Sequence, residues 1–369
     1  MYARRRFAIA GFTTSGAFAE ACISSSVWSA IRVRYNSLLE EILPAARQLG
    51  PLPAIGFWAV LALAAGLYGA WLGEGGRRLA AMLTAFAFLL LVMLLCASRG
   101  VTEKISARLG SAAGILLGAS LLLAYLIYAV GTNTFAFPRA GLAVAVIFVP
   151  LAAAVSAAQR PPGAWQDFVT VAGVWVTVKF SLARMLWPYP GERFPSAFTV
   201  LLIVDVGIAV FLLARRFDGV GYSLAWGNRW ALYVAGGFLA FTCIAIPMGL
   251  AMHFIQFAPR WNTVASLPLV TLGIFVLTAW PEEFLFRGLI QNMLARVTRS
   301  DFAGWCAASV LFGLSHIPNG RFPNWRYVAL ATIAGFFYGW IWRKTGSIFA
   351  SAIVHALVDT LWHFLFRTL

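Results

Sequence analysis

The chain has 369 residues, 61% hydrophobic and 11% charged, with a formal net charge of +15. A charged fraction so far below the roughly 25% of soluble domains, with a mean hydropathy of +0.81, excludes an ordinary soluble globule and indicates an integral membrane protein. In a soluble protein the positive charge would suggest nucleic acid; here Lys and Arg fall mostly in short connections between apolar runs, where they set orientation in a bilayer. The expected surroundings are therefore lipid, with no nucleic-acid partner.

The N-terminus opens with Arg4-Arg5-Arg6, but Thr13, Thr14, Ser15 and Glu20 interrupt the apolar stretch behind it. Residues 1–50 therefore read as a cytoplasmic or interfacial segment in preference to a cleaved signal peptide. Within it, Arg32, Arg34, Glu40, Glu41 and Arg47 suit an amphipathic helix on the membrane surface. From Pro53 onward, apolar runs of roughly 18 to 25 residues recur, the length a spanning helix needs. The expected spans are 54–73, 79–98, 111–131, 140–158, 168–187, 196–214, 230–252, 266–296, 302–317, 326–342 and 347–367, about eleven helices. The runs show no period-2 alternation, so an all-α polytopic transmembrane bundle is expected over a β-barrel. The connections richer in Lys and Arg place the N-terminus in the cytoplasm and the C-terminus outside, in a multi-pass protein of the cell membrane.

The clearest shift in composition is Arg215-Arg216-Phe217-Asp218-Gly219-Val220-Gly221, a basic, glycine-containing connection. It divides the chain into residues 1–219, with about six spans of unassigned role, and residues 220–369, which hold everything chemically unusual. In the first part, Lys179, Arg184 and Asp205 read as a structural charge pairing, with transport as a weaker alternative. Cys22, Cys96, Cys243 and Cys306 are far apart with no CxxC spacing, so neither a disulfide framework nor a zinc site is expected.

Inside the span 266–296 stands Pro281-Glu282-Glu283-Phe284-Leu285-Phe286-Arg287. Each charge at the centre of a spanning helix costs about 2.5 to 3.5 kcal/mol, so three within six residues ask for function or mutual neutralisation. Glu283 and Arg287 are four apart and can pair, while Glu282 points about 100° away. Two further spans carry ionisable groups: Phe312-Gly313-Leu314-Ser315-His316, and His355-Ala356-Leu357-Val358-Asp359, with His363 continuing the stripe. Counted from the adjoining turns at the 1.5 Å helical rise, Glu282 and His316 reach one depth, and His355 is compatible with the same layer. A buried ion network is one reading. The other is hydrolysis, in which a carboxylate takes a proton from a water that an imidazole helps to hold. GxSxG and HExxH are absent, so serine-hydrolase and zincin readings lack their signatures.

These motifs resemble those of the CPBP group of intramembrane endopeptidases, which includes CAAX prenyl proteases and bacteriocin-processing or immunity-associated proteins. Glu282–Arg287 is similar to its EExxxR motif, Phe312–His316 to its FxxxH motif, and His355–Asp359 to its third motif. The resemblance covers roughly residues 220–369. It implies that Glu282 is the general base, that His316 positions the attacking water, and that His355 and Asp359 line the oxyanion side. Glu283 and Arg287 take a supporting, ion-paired role. Asp359 departs from the asparagine found in many members, and must be protonated, paired with a histidine or assigned another job. The group has been described as both glutamate- and metal-dependent. A mechanism without cofactor is expected here; zinc held by Glu282, His316 and His355 is the alternative. The implied substrate is a membrane-associated protein or peptide, either a prenylated tail or another precursor. A non-proteolytic immunity or scaffold protein using the same fold is the competing class.

Overall fold

The computed structural model describes residues 47–179, 185–188, 195–320 and 322–369. The expected surface segment up to residue 46, Arg184 and the side chain of Lys179 lie outside the described residues. The remainder is the expected helical bundle. Its helices are α1 (Pro51–Trp71), α2 (Gly76–Cys96), the short α3 (Val101–Leu109), α4 (Ala112–Gly131), α5 (Phe137–Ser156) and α6 (Trp165–Lys179). There follow α7 (Ser196–Ala214), α8 (Trp230–Ala251), α9 (Trp261–Thr298), α10 (Asp301–Leu314), α11 (Trp325–Thr345) and α12 (Ile348–Leu365). A helix stands at each of the eleven expected spans, and α3 is additional. Eight of them, among the described residues, are long and apolar enough to cross a membrane. The exceptions at the expected spans, among the described residues, are α6, α10 and α11; α6 is described over 15 residues and α10 runs 14.

Lipid chains are as apolar as leucine, so inside a bilayer helices associate through close packing and buried polar contacts. Two packed cores result. The first gathers Leu89, Leu90 and Met93 of α2, Tyr125 and Tyr128 of α4, and Phe211 of α7, and continues into Trp280, Phe284 and Leu289 of α9. The second joins Phe241 of α8, Phe312 of α10, Tyr338 and Ile341 of α11 and Val354 of α12 to Phe286 of α9. The long α9 is thus a wall common to both, with Phe284 and Phe286 on opposite sides. Gly207 on α7 permits the approach on the first side, since a Cβ there would come 2.8 Å from the Phe284 ring.

The connection between α7 and α8 is threaded through the protein. Tyr222 donates to the Met93 carbonyl (3.0 Å), Trp342 Nε1 to the Val220 carbonyl (3.2 Å) and the Ile348 amide to the Gly221 carbonyl (3.0 Å). Gly221 has φ +74°, and a side chain there would collide with the Gly346 carbonyl. At the start of this connection Arg215 is buried, its Nε and Nη2 lying 2.9 and 2.8 Å from the two oxygens of Asp167, and it also donates to the carbonyls of Ala157, Arg160 and Pro161. In the sequence Arg215 reads only as part of the basic connection between the two parts of the chain; its structural role depends on Asp167, 48 residues away. Asp205 is fully buried, and neither of its oxygens has a hydrogen bond among the described residues.

Candidate active site

Proline lacks an amide hydrogen and its ring crowds the carbonyl four residues back, so Pro281 disturbs the helical turn before it. α9 widens into a π-helical turn there, Phe275–Ala279, and into a second at Phe284–Gln291, on either side of a four-residue α-turn, Trp280–Glu283. Such widened turns recur at functional sites. The two glutamates emerge from this turn on different sides.

Glu283 points into the protein and is fully buried. Its Oε2 faces Arg287 Nε at 3.1 Å and receives the Ser351 hydroxyl at 2.5 Å, while Oε1 lies 2.9 Å from His355 Nδ1. The Arg287 guanidinium is covered by aromatic rings, 4.6 Å from the Phe312 centroid and 5.5 Å from that of Tyr338. A desolvated cation–π contact is worth about 2 kcal/mol or more, which helps to offset the buried charge. His355 stacks on Tyr338 at 4.6 Å with an interplanar angle of 20°. Arg287, Ser351 and His355 thus engage both oxygens of Glu283, and aromatic rings cover Arg287 and His355 in turn.

Glu282 points the other way. Its side chain is 35% exposed and lines a largely apolar cavity of about 640 Å³, shared with His316, which follows the C-terminus of α10. The matching depth expected for these two residues thus appears as a common cavity wall. His316 Nδ1 lies 2.8 Å from the Phe312 carbonyl, which can only accept, so Nδ1 carries the hydrogen and in the neutral ring Nε2 is the acceptor. Ring contacts to Phe312 (4.9 Å) and Tyr327 (4.7 Å) hold the imidazole in place.

His355 stands between the two environments. Its Nδ1 meets Glu283, and its Nε2 lies 3.9 Å from Glu282 Oε2 and 3.5 Å from Asp359 Oδ2. Asp359 is 38% exposed and is thus paired with a histidine, one of the three options its departure from asparagine left open. His363 does not continue the stripe into the site: it is exposed, beside Arg260 at 3.5 Å. Its position near the end of α12 turns it outward.

Two contributors were missed in the sequence. Ser351 could have been found, because Ser351, His355 and Asp359 are spaced by four on one face of α12. Tyr338 carries no local signal; α11 brings it against His355 only through packing.

These side chains suit hydrolysis: a carboxylate and an imidazole open to a cavity, braced by a sealed ion network. No curated protein and no solved structure gives a significant match to the chain. Residues 264–361, which contain all three motifs, match the family model described as Type II CAAX prenyl endopeptidase Rce1-like, a family consistent with the CPBP resemblance of the sequence and with a multi-pass membrane peptidase.

Proposed function

We propose that the chain hydrolyses a peptide bond of a membrane-associated protein or peptide in the cell membrane, with Glu282 as general base. The observation that carries this reading is the division of labour between the adjacent glutamates: Glu283 is consumed by Arg287, Ser351 and His355, whereas Glu282 faces the cavity shared with His316.

In the step envisaged, Glu282 takes a proton from a water that His316 Nε2 helps to position, and the water oxygen bonds to the scissile carbonyl carbon. The carbonyl electron pair moves onto oxygen. When it returns, the C–N bond breaks and the proton on Glu282 passes to the leaving nitrogen. A positioned base of this kind contributes about 10²- to 10⁴-fold. His355, held through Nδ1 by Glu283, turns Nε2 toward Glu282 and Asp359; in its doubly protonated form it is a cationic donor for the oxyanion, with Asp359 balancing its charge. Each oxyanion donor of this type is worth about 10²- to 10³-fold.

The reading is metal-free. Its support is that a glutamate base needs no ion and that the chain carries no HExxH ligand spacing. A prenylated CAAX tail, the substrate class named in the description of the matched family, is one candidate, alongside other membrane-bound precursors. The test is comparative peptidomics of membranes from cells expressing wild type or Glu282→Gln. A precursor that accumulates uncut in the variant, and is cleaved by purified wild type in proteoliposomes, supports the proposal; cleavage by the variant at the wild-type rate removes Glu282 as base.

A further inference from the structure

The cavity beside Glu282 is built only partly by the segment that matches the peptidase family. Among the described residues its wall includes Val174 and Trp175 of α6 and Ser196, Val200, Ile203 and Val204 of α7, all outside residues 264–361. At the 10–12 Å diameter and 1.5 Å rise of a helix, about 640 Å³ encloses about four to five residues of a substrate at a time. A bond within an intact helix also has its carbonyl engaged four residues on. The occupant that fits is therefore a short unwound stretch of substrate beside the scissile bond.

The polar atoms of the wall agree. An unwound backbone inside a bilayer must find hydrogen-bond partners, whereas a hydrocarbon chain needs none. Thr271 on α9 folds its hydroxyl back onto the Leu267 carbonyl at 2.7 Å, as threonines in helices usually do. Thr278, one turn before Glu282 and lining the cavity, makes no such bond among the described residues, so its hydroxyl remains available to a ligand.

We infer that α6 and α7 form the specificity wall of the peptidase: the cavity receives a few unwound apolar residues flanking the scissile bond, with Ile203 setting the side-chain size admitted and Thr278 bonding the unwound backbone. This rests on the hydrolytic reading proposed above and gives the helices before residue 220 a role in substrate choice.

The test uses the full chain in proteoliposomes with synthetic single-span peptides that carry a central Gly-Pro break. The residues beside the break are all Ala, all Leu or all Phe, and a further Ala peptide bears a hexadecyl thioether. Wild type is compared with Ile203→Trp, Ile203→Ala and Thr278→Val, and kcat/KM is read for each peptide. Ile203→Trp is expected to lower the Leu-to-Ala and Phe-to-Ala ratios by about tenfold or more, mainly through KM, and Ile203→Ala to raise the Phe-to-Ala ratio. Thr278→Val is expected to lower kcat/KM several-fold on all the peptides at an unchanged melting temperature, and Thr278→Ser to keep it; an equal loss in both variants overturns the Thr278 contact. Misfolding scales every peptide by one factor, so opposite shifts from the two Ile203 variants report the pocket. Unchanged ratios in both overturn the inference. Shifts confined to the hexadecyl peptide also overturn it, assigning the wall to a lipid chain. In Glu282→Gln, crosslinking of a photo-leucine peptide to α7 reads occupancy without turnover. Crosslinking there with no cleavage by wild type sinks the hydrolytic reading but keeps the pocket; cleavage with no crosslink to α7 does the reverse.

Discussion

Glu282 and Glu283 are consecutive in the chain, yet one side chain is 35% exposed to a cavity and the other is fully buried. Glu283 has both oxygens occupied by Arg287, Ser351 and His355, and its cation is roofed by Phe312 and Tyr338. Among the described residues Glu282 makes one long ion pair, with His355 Nε2 at 3.9 Å. A carboxylate sealed by partners holds helices in register and is a poor reagent, because both of its oxygens are already engaged. A carboxylate left on a cavity wall can meet water and substrate. Burying one glutamate of the pair thus braces the helix that presents the other.

This contrast can be broken from either side. The largest effect is expected from Glu282→Gln, which should lower peptide cleavage about 10²- to 10⁴-fold while leaving the melting temperature unchanged. If cleavage persists and stability falls, the roles of the two glutamates are reversed. Arg287→Leu should do the opposite: it strands Glu283 without its cation and should cost about 3–5 kcal/mol of stability, read by denaturation in detergent, with activity lost as a consequence. A variant of wild-type stability would remove the bracing argument.

Smaller effects sharpen the same division. His316→Ala should slow cleavage about a hundredfold with little change in melting temperature, since the imidazole belongs to the cavity side. Ser351→Ala deletes one hydrogen bond to a buried charge and should cost about 1.5–3 kcal/mol, with kcat falling only as far as Glu283 and His355 loosen. The smallest expected change is none: stripping divalent ions with a chelator should leave the turnover of purified protein intact, and a loss restored by zinc would overturn the metal-free mechanism.

The helices were legible in the sequence because apolar length alone specifies a span, and each expected run coincides with a helix. The Glu283–Arg287 pair was legible for an equally local reason, the spacing of four on one helix. The spacing of His355 and Asp359 was legible in the same way, and their side chains meet at 3.5 Å. What could not be read was contact across helices. Nothing near Glu283 in sequence announces Ser351, 68 residues on, nor does anything near His355 announce the Tyr338 ring stacked on it. His363 shows the converse: spacing suggested a stripe, and the end of α12 turned it toward Arg260 instead.

By itself the sequence determined a membrane-spanning helical chain and the three motifs that carry its ionisable groups, because hydropathy and helical periodicity are properties of consecutive residues. Only the tertiary structure decided which glutamate is sealed and which is open. It also placed α6 and α7 on the wall of the cavity that Glu282 lines. Both outcomes depend on side chains from distant helices competing for the same space and the same hydrogen-bond partners, and no local pattern along the chain encodes that competition.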